Sequence, residues 1–333
     1  MIRPPIQIGK TLSVEPALLA PMSGITDLPF RRIAARYGAG LVVSEMIAGQ
    51  FLAQGHALAE MRAEGRGIAP HVIQLAGREP HWMGEGAKVA EDAGADLIDI
   101  NMGCPSKRVT TGYSGSALMR DEDLALRMIE ATVEAASVPV SLKMRLGWDD
   151  DNHNAPRLAK LAENAGVALI TIHGRTRCQF YKGAADWRAV RPVVEAVSVP
   201  VVVNGDVTSY DDALAALEQS GAAGVMIGRG AQGRPWFPGL VARFLADGER
   251  RPEPELAERR AVIVEHYHGI LSHYGAKVGV RAARKHLDWT MSAIRLDGGD
   301  RDLRRAILTE TDPGTALSML DAWFDREPQR SAA

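Results

Sequence analysis

The stretch Leu97-Ile98-Asp99-Ile100-Asn101-Met102-Gly103-Cys104-Pro105 opens as a buried strand and ends in an amide, a thiol and two backbone-shaping residues. The run Leu97–Ile100 has the density of apolar residues that a parallel strand buried on both faces requires. Asn101 can both donate and accept hydrogen bonds. Gly103 lets the backbone approach a ligand closely, and Pro105 stiffens the exit. Cys104 is thereby presented at the mouth of a strand, beside an amide, where a proton can be exchanged. A buried free thiol is the alternative for a single cysteine.

Similar runs recur on both sides of this one. They are Ala17–Ala20, Leu41–Val43, His71–Leu75, Pro139–Met144, Leu169–Ile172, Val201–Val203 and Val225–Ile227. Segments of helical period lie between them, such as Leu124, Ala125, Met128, Ile129, Thr132 and Val133. Gly-Ala and Val-Pro turns mark the returns at Gly94-Ala95, Val138-Pro139 and Val199-Pro200. Eight strand-helix units in about 240 residues predict an α/β fold, a (β/α)8 TIM barrel. The carboxyl ends of the runs are rich in chemistry. In order they offer Pro21-Met22, Ser44-Glu45, Gln74, Asn101 with Cys104, Lys143 with Arg145, His173, Asn204-Gly205-Asp206 and Gly228-Arg229. Barrel active sites form at that face.

Beyond Phe237 the pattern changes. The run Ala246-Asp247-Gly248-Glu249-Arg250-Arg251-Pro252-Glu253-Pro254 reads as a linker. Leu256, Ile263, Tyr267, Ile270, Leu271 and Tyr274 then recur at helical steps. The expected organisation is a catalytic barrel over 1–245, a linker over 246–255 and a small all-helical domain over 256–333.

The 333 residues carry 46% hydrophobic and 24% charged side chains, with a net charge of -2. That balance is ordinary for a soluble protein and carries no global nucleic-acid signature. Two cysteines, Cys104 and Cys178, are too few for a disulfide scaffold, so a cytoplasmic protein is expected. No signal peptide, membrane span or metal-ligand spacing is read.

Gly228-Arg229-Gly230-Ala231-Gln232-Gly233 matches the G-x-G-x-x-G fingerprint. It lies at the end of the eighth run with no further strand expected, so a Rossmann unit is rejected. The barrel's phosphate site is the better reading, with Gly205 and Gly228 exposing backbone N–H groups and Arg229 adding charge. Tight turns without a ligand are the alternative. A planar cofactor bearing a phosphate suits the remaining strand ends. Gln74, Asn101 and the end of the first strand meet a polar ring edge, and Lys143 suits the N1–C2=O side of a flavin. Lys143 and Arg145, two apart on a strand, point to one face. His173 either orients the ligand or is a neutral member of a polar network.

Three separated segments carry a family resemblance. They are Asp99–Leu118 (DINMGCPSKRVTTGYSGSAL), Ala20–Arg31 (APMSGITDLPFR) and His173–Trp187 (HGRTRCQFYKGAADW). Together they resemble the tRNA-dihydrouridine synthases, and most nearly the bacterial B-type branch, which is associated with uridine 17 of the D loop. The resemblance implies bound FMN and NADPH as co-substrate. It implies flavin contacts at Ala20, Pro21, Met22, Gln74, Lys143, Asn204, Gly205, Asp206, Gly228 and Arg229, with Asn101, Arg145 and His173 lining the same site. It makes Cys104 the proton donor to C5 while hydride reaches C6.

The substrate would be the D-loop elbow of tRNA, gripped by positive charge. Lys277, Arg281, Arg284 and Lys285 lie close together, and Arg281–His286 resembles a tRNA-contacting segment of the family. Arg281, Arg284 and Lys285 are expected to share a helix face. Arg175, Arg177 and Lys182, with Lys107 and Arg108, extend that surface. A solvated basic face is the alternative. Tyr113-Ser114 departs from the smaller residues of many relatives, which leaves the loop after Cys104 and the choice of uridine open. Cys178 has no expected role. A monomer is expected, although nothing in the sequence fixes the oligomeric state. Two other functions compete: a small-molecule flavoprotein of the dihydroorotate-dehydrogenase kind, and a tRNA-binding protein without turnover.

Overall fold

The Val-, Ile- and Leu-rich runs form the eight parallel strands of a closed barrel in the computed structural model, which describes residues 2–294 and 301–325. The strands are β1 (Ala17–Leu19), β2 (Val42–Val43), β3 (His71–Ala76), β4 (Leu97–Met102), β5 (Val140–Arg145), β6 (Leu169–His173), β7 (Val201–Asn204) and β8 (Gly224–Ile227). Each pairs with its neighbours in order, and β8 pairs with β1 to close the ring. A short strand, Ile47–Ala48, adds to the upper end of β3. The strands end later than the apolar runs suggest, at Met102, Arg145, His173 and Asn204. Inside a barrel a polar side chain turns to the interior without breaking the backbone ladder.

Alternation along each strand separates two environments. Ile98, Ile100 and Met102 of β4 pack outward in the core shared with the helices. Leu97 points inward and joins Leu18, Leu41, Val72, Leu169, Val202 and Met226 in a second apolar cluster. That cluster also holds Ile6, Ile8 and Val14 from an antiparallel hairpin, Ile6–Ile8 with Leu12–Val14. A Cβ on Gly224, where β8 begins, would stand 2.7 Å from Ile6 Cδ1. The hairpin therefore closes the amino-terminal end of the barrel.

The helices around the barrel are α1 (Leu28–Arg36), α2 (Gly49–Ala53), α3 (Ala57–Ala63), α4 (Pro80–Asp92), α5 (Lys107–Thr110), α6 (Glu122–Ala135), α7 (Ala155–Asn164), α8 (Arg191–Ala196), α9 (Tyr210–Ser220) and α10 (Phe237–Asp247). Local chemistry starts and stops them. Asp27 accepts from Phe30 N–H at the start of α1 (3.1 Å), and Pro29 occupies its first turn. Gly221, at φ +73°, ends α9 in the left-handed conformation that glycine adopts freely. The expected Rossmann exclusion holds: β8 runs into a single 3-10 turn, Arg229–Ala231, and no strand follows among the described residues.

Helices α11 (Leu256–Tyr274), α12 (Ala276–Ile294), α13 (Arg301–Thr309) and α14 (Pro313–Asp325) share a third core containing Ile270, Leu287, Met291, Leu320 and Trp323. The expected helical domain, 256–333, extends beyond Asp325 into residues outside the described ones. Two contacts dock these helices on α1. Arg36 makes a two-armed bond to Glu265, at 2.7 Å in each arm. The Phe30 ring meets the rings of His266 and His286 with centroids 5.5 and 5.8 Å away. Between α10 and α11, Glu253 accepts from Arg234 and from the Trp236 indole N–H. Among the described residues no helix is long and apolar enough to cross a membrane.

Candidate active site at the barrel mouth

Above the apolar layers the barrel interior turns polar. Ser141 and Gln74 donate to the two oxygens of Asp99, each at 2.6 Å. Asn101 Nδ2 donates to Gln74 Oε1 at 2.8 Å. Its Oδ1 accepts from the backbone N–H of Gly103 at 3.3 Å and of Cys104 at 3.1 Å. One amide thus ties the buried network to the turn that carries the thiol. Cys104 is free and partly exposed. Its carbonyl accepts from Ser116 N–H and Oγ–H, fixing the turn from the other side. Gly115, at φ +60°, lies so close that a Cβ there would stand 3.2 Å from Cys104 Cβ.

Lys143 is buried and donates to Asn204 Oδ1 at 2.9 Å, while Asn204 Nδ2 donates to the Met226 carbonyl at 2.8 Å. Burial drives the Lys143 ammonium down, to about 8, against the attraction of Asp99. The same burial drives the Asp99 carboxyl up. Desolvation penalises both charges, and their attraction offsets part of the penalty. Arg145 also points inward. It donates to the carbonyls of Gly103 (2.7 Å), Thr176 (2.9 Å) and Phe180 (2.9 Å), joining the loops after β4 and β6. His173 is held well below its ordinary value, first by burial and then by Arg145, Lys143, Arg175 and Arg229. These influences favour the neutral imidazole, and Arg175 Nη1 lies 3.3 Å from its Nε2. Buried lysine, shifted carboxylate and partly exposed thiol converge at one mouth, an arrangement suited to proton transfer on a bound planar ligand.

Residues 18–327 match the family model described as dihydrouridine synthase. The chain belongs to the dihydrouridine synthase family. That membership makes it a flavin-dependent oxidoreductase. Its relatives include a Rhodobacter capsulatus protein named "Probable tRNA-dihydrouridine synthase", 55% identical over 94% of this chain and 96% of that one. The tRNA-dihydrouridine synthase B of Xanthomonas axonopodis pv. citri is 44% identical over 96% of each chain. Among solved structures, morphinone reductase in complex with tetrahydroNAD superposes with a TM-score of 0.52 at 16% identity, covering 75% of this chain and 93% of that one. The 6-hydroxypseudooxynicotine amine oxidase of Pseudomonas geniculata N1 gives 0.56 at 14%, covering 98% and 66%. At such identities these two show the fold alone.

The remaining expected site residues divide by position. Ala20, Pro21 and Met22 follow β1 beside Gly228: a Cβ on Gly228 would stand 3.7 Å from Met22 Sδ and 3.8 Å from Ala20 Cβ. Gly205, at φ +120°, packs against His173 and Ala185. Asp206 faces inward upon the protein, accepting from Arg175, from Ala185 N–H (2.8 Å) and from Arg229 (2.9 Å).

Arg175 departs from the expectation of an RNA-facing charge. It is 1% exposed, and its guanidinium is occupied by Asp206 and the carbonyls of Lys182 and Gly183. A loop arginine reads as exposed in sequence because its acidic partner lies 31 residues away. Arg177 is half-buried, 4.8 Å from the Trp148 ring, and Arg120 lies 4.0 Å from the same ring. The four basic residues of α12 are engaged differently. Lys277 and Arg281 are exposed, but Arg284 donates to the Thr309 and Glu310 carbonyls, each at 3.0 Å. Lys285 turns to the loop after β1, its Nζ 3.5 Å from where a Gly24 Cβ would lie. Sequence reasoning assigned no role to Asp99, Ser141 or Ser116. Asp99 left a signal, since a carboxylate inside a strand buried on both faces needs a partner.

Proposed function

We propose that this enzyme reduces the C5–C6 double bond of a D-loop uridine in tRNA, at position 17, with FMN bound at the barrel mouth and NADPH as electron source. One observation carries the reading: Asn101 joins the buried Gln74–Asp99 network to the turn that presents Cys104, beside the buried cation of Lys143. The names of the curated relatives supply the substrate class.

The residues present fit a flavin. Thr171 Oγ1 is buried without a hydrogen-bond partner among the described residues, on the strand position registered against Lys143. Gly228 leaves the backbone bare between the ends of β1 and β8, where a Cβ would meet only Met22 Sδ and Ala20 Cβ at ordinary contact distance. Ala20, Pro21, Met22, Gln74 and Asn101 would hold the ring system, and Lys143 its N1–C2=O edge. Asn204, Gly205, Gly228, Arg229 and His173 would hold the phosphate-bearing side, with Asp206 behind them fixing Arg229. When bound and reduced by NADPH, FMN supplies the hydride that adds to C6.

The chain's own residues supply the rest. Cys104 Sγ gives its proton to C5 as general acid. Asn101 and Arg145 orient the uracil. The base reaches them only after leaving its stack, as in other enzymes that act on nucleobases. Lys277 and Arg281, the exposed members of the α12 set, grip the tRNA backbone with Lys107 and Arg108.

Purified protein with NADPH should convert one D-loop uridine of an unmodified tRNA transcript, or of tRNA from a strain lacking the enzyme. A yellow protein that oxidises NADPH but leaves every uridine intact in both pools overturns the reading. Cys104→Ala should retain flavin and lose about 100-fold or more in single-turnover reduction of tRNA, the usual weight of a general acid. Unchanged turnover would remove Cys104 from that role.

A further inference from the structure

Two aromatic side chains stand on the rim of the mouth in a backbone conformation that aromatic residues rarely adopt. Tyr113 has φ +55° and is 65% exposed; Phe180 has φ +57° and is 40% exposed. Glycine or asparagine would take either position at less conformational cost. Neither ring is retained for the core.

Both are mounted on the catalytic machinery. Tyr113 N–H donates to Thr110 O at 3.1 Å, and Phe180 N–H donates to Arg177 O at 3.1 Å. The two turns touch, with Arg177 Nη2 3.4 Å from Thr110 Oγ1. Two residues beyond Tyr113, Gly115 packs on Cys104. The Phe180 carbonyl accepts from Arg145 at 2.9 Å. The left-handed backbone at each position leaves these inner bonds intact and the ring outside. Exposed Lys107, Arg108 and Lys182 share the same two loops. Tyr181 meets the Phe180 ring edge-on, centroids 4.8 Å apart, and itself turns inward, 5.6 and 5.4 Å from the guanidinium carbons of Arg145 and Arg229.

We propose that Tyr113 and Phe180 are a stacking clamp for the unpaired nucleobases that adjoin the extruded uridine. The proposal rests on the RNA-substrate reading above. Extruding one base deprives its neighbours of a stacking partner, and an exposed aromatic ring is the usual replacement in single-stranded RNA recognition. The rings lie outside the reacting layer, so they select and hold RNA and leave the proton transfer alone. They also give the loop after Cys104 a means of discriminating among uridines by what flanks them.

Tyr113→Gly and Phe180→Gly test this without straining the fold, because glycine accepts the positive φ. Binding of an unmodified tRNA transcript is measured by anisotropy across a salt series. Each variant should bind about tenfold more weakly, as loss of a base stack predicts, with the slope of log affinity against log salt unchanged. Tyr113→Phe and Phe180→Trp should restore affinity. Flavin content and NADPH oxidation in the absence of RNA should match the parent protein in Tyr113→Gly, because the Tyr113 ring touches neither Arg145 nor Arg229. Parental affinity in both glycine variants overturns the clamp. So does a shallower salt slope, which would indicate lost phosphate contacts. If the parent protein is yellow but binds no tRNA, the RNA-substrate reading fails and takes the clamp with it.

Discussion

Asp99 is 3% exposed, between two donors and across from the Lys143 ammonium. Asparagine would keep its shape but turn one acceptor into a donor facing Ser141 or Gln74, and would leave Lys143 without its counter-charge. Asp99→Asn should therefore destabilise the fold by about 3 kcal/mol and drive Lys143 further below its ordinary value. Urea unfolding and flavin bound per chain check this; parental values in both would show that the carboxylate is dispensable. The site was only partly legible at this scale. Cys104, Asn101, Lys143, Arg145 and His173 announced themselves as polar residues closing apolar runs. Their pairings did not, because Gln74 meets Asn101 from a neighbouring strand and Asn204 meets Lys143 from two strands away, and Ser141, which holds Asp99, lies inside an apolar run. Arg175 misled for the same reason, since nothing beside it in the chain reveals that Asp206 buries its charge.

Gly205 ends β7 in a conformation with φ +120°, and an added Cβ would lie 2.7 Å from Ala185 Cβ and 2.9 Å from His173 Cδ2. Gly205→Ala should cost about 2 kcal/mol from backbone strain and crowding together. Thermal unfolding should show the loss, and unaltered stability would mean that the turn relaxes freely. The loops after β4, β5 and β6 meet at Trp148, whose ring has Arg120 and Arg177 at 4.0 and 4.8 Å. Trp148→Ala should make residues 174–187 more susceptible to limited proteolysis, at a global cost of about 1 kcal/mol. Resistance equal to the parent's would sink that role. The eight strands were readable because strands buried on both faces write long apolar runs. The hairpin was not, because Ile6–Ile8 and Leu12–Val14 are three residues each and show a period only once paired.

His266 and His286 lie where α11 and α12 meet α1, with Nε2 of each buried and unpartnered among the described residues. Burial holds His266 down to about 3 and His286 well below its ordinary value, with Lys285 adding repulsion. An unfolded chain takes up these protons near pH 6.5 and the folded one refuses them. Stability therefore falls as pH drops from about 6.5 towards 3. Asp27 works the other way. Its folded value is raised to about 6 by burial, so its protonated form favours folding between about pH 4 and 6. His266→Phe should gain stability relative to the parent on going from pH 7 to pH 5, read as urea midpoints. An equal difference at the two pH values would mean that the pair does not titrate with unfolding. The hairpin beneath the barrel has a kinetic corollary. With Ile6, Ile8 and Val14 seated under an apolar plug, the catalytic chamber is a cup with a single lip. On the function proposed above, NADPH and RNA would use that same opening in turn. Initial-rate plots at several fixed concentrations of NADPH should be parallel lines, the mark of partners that take turns.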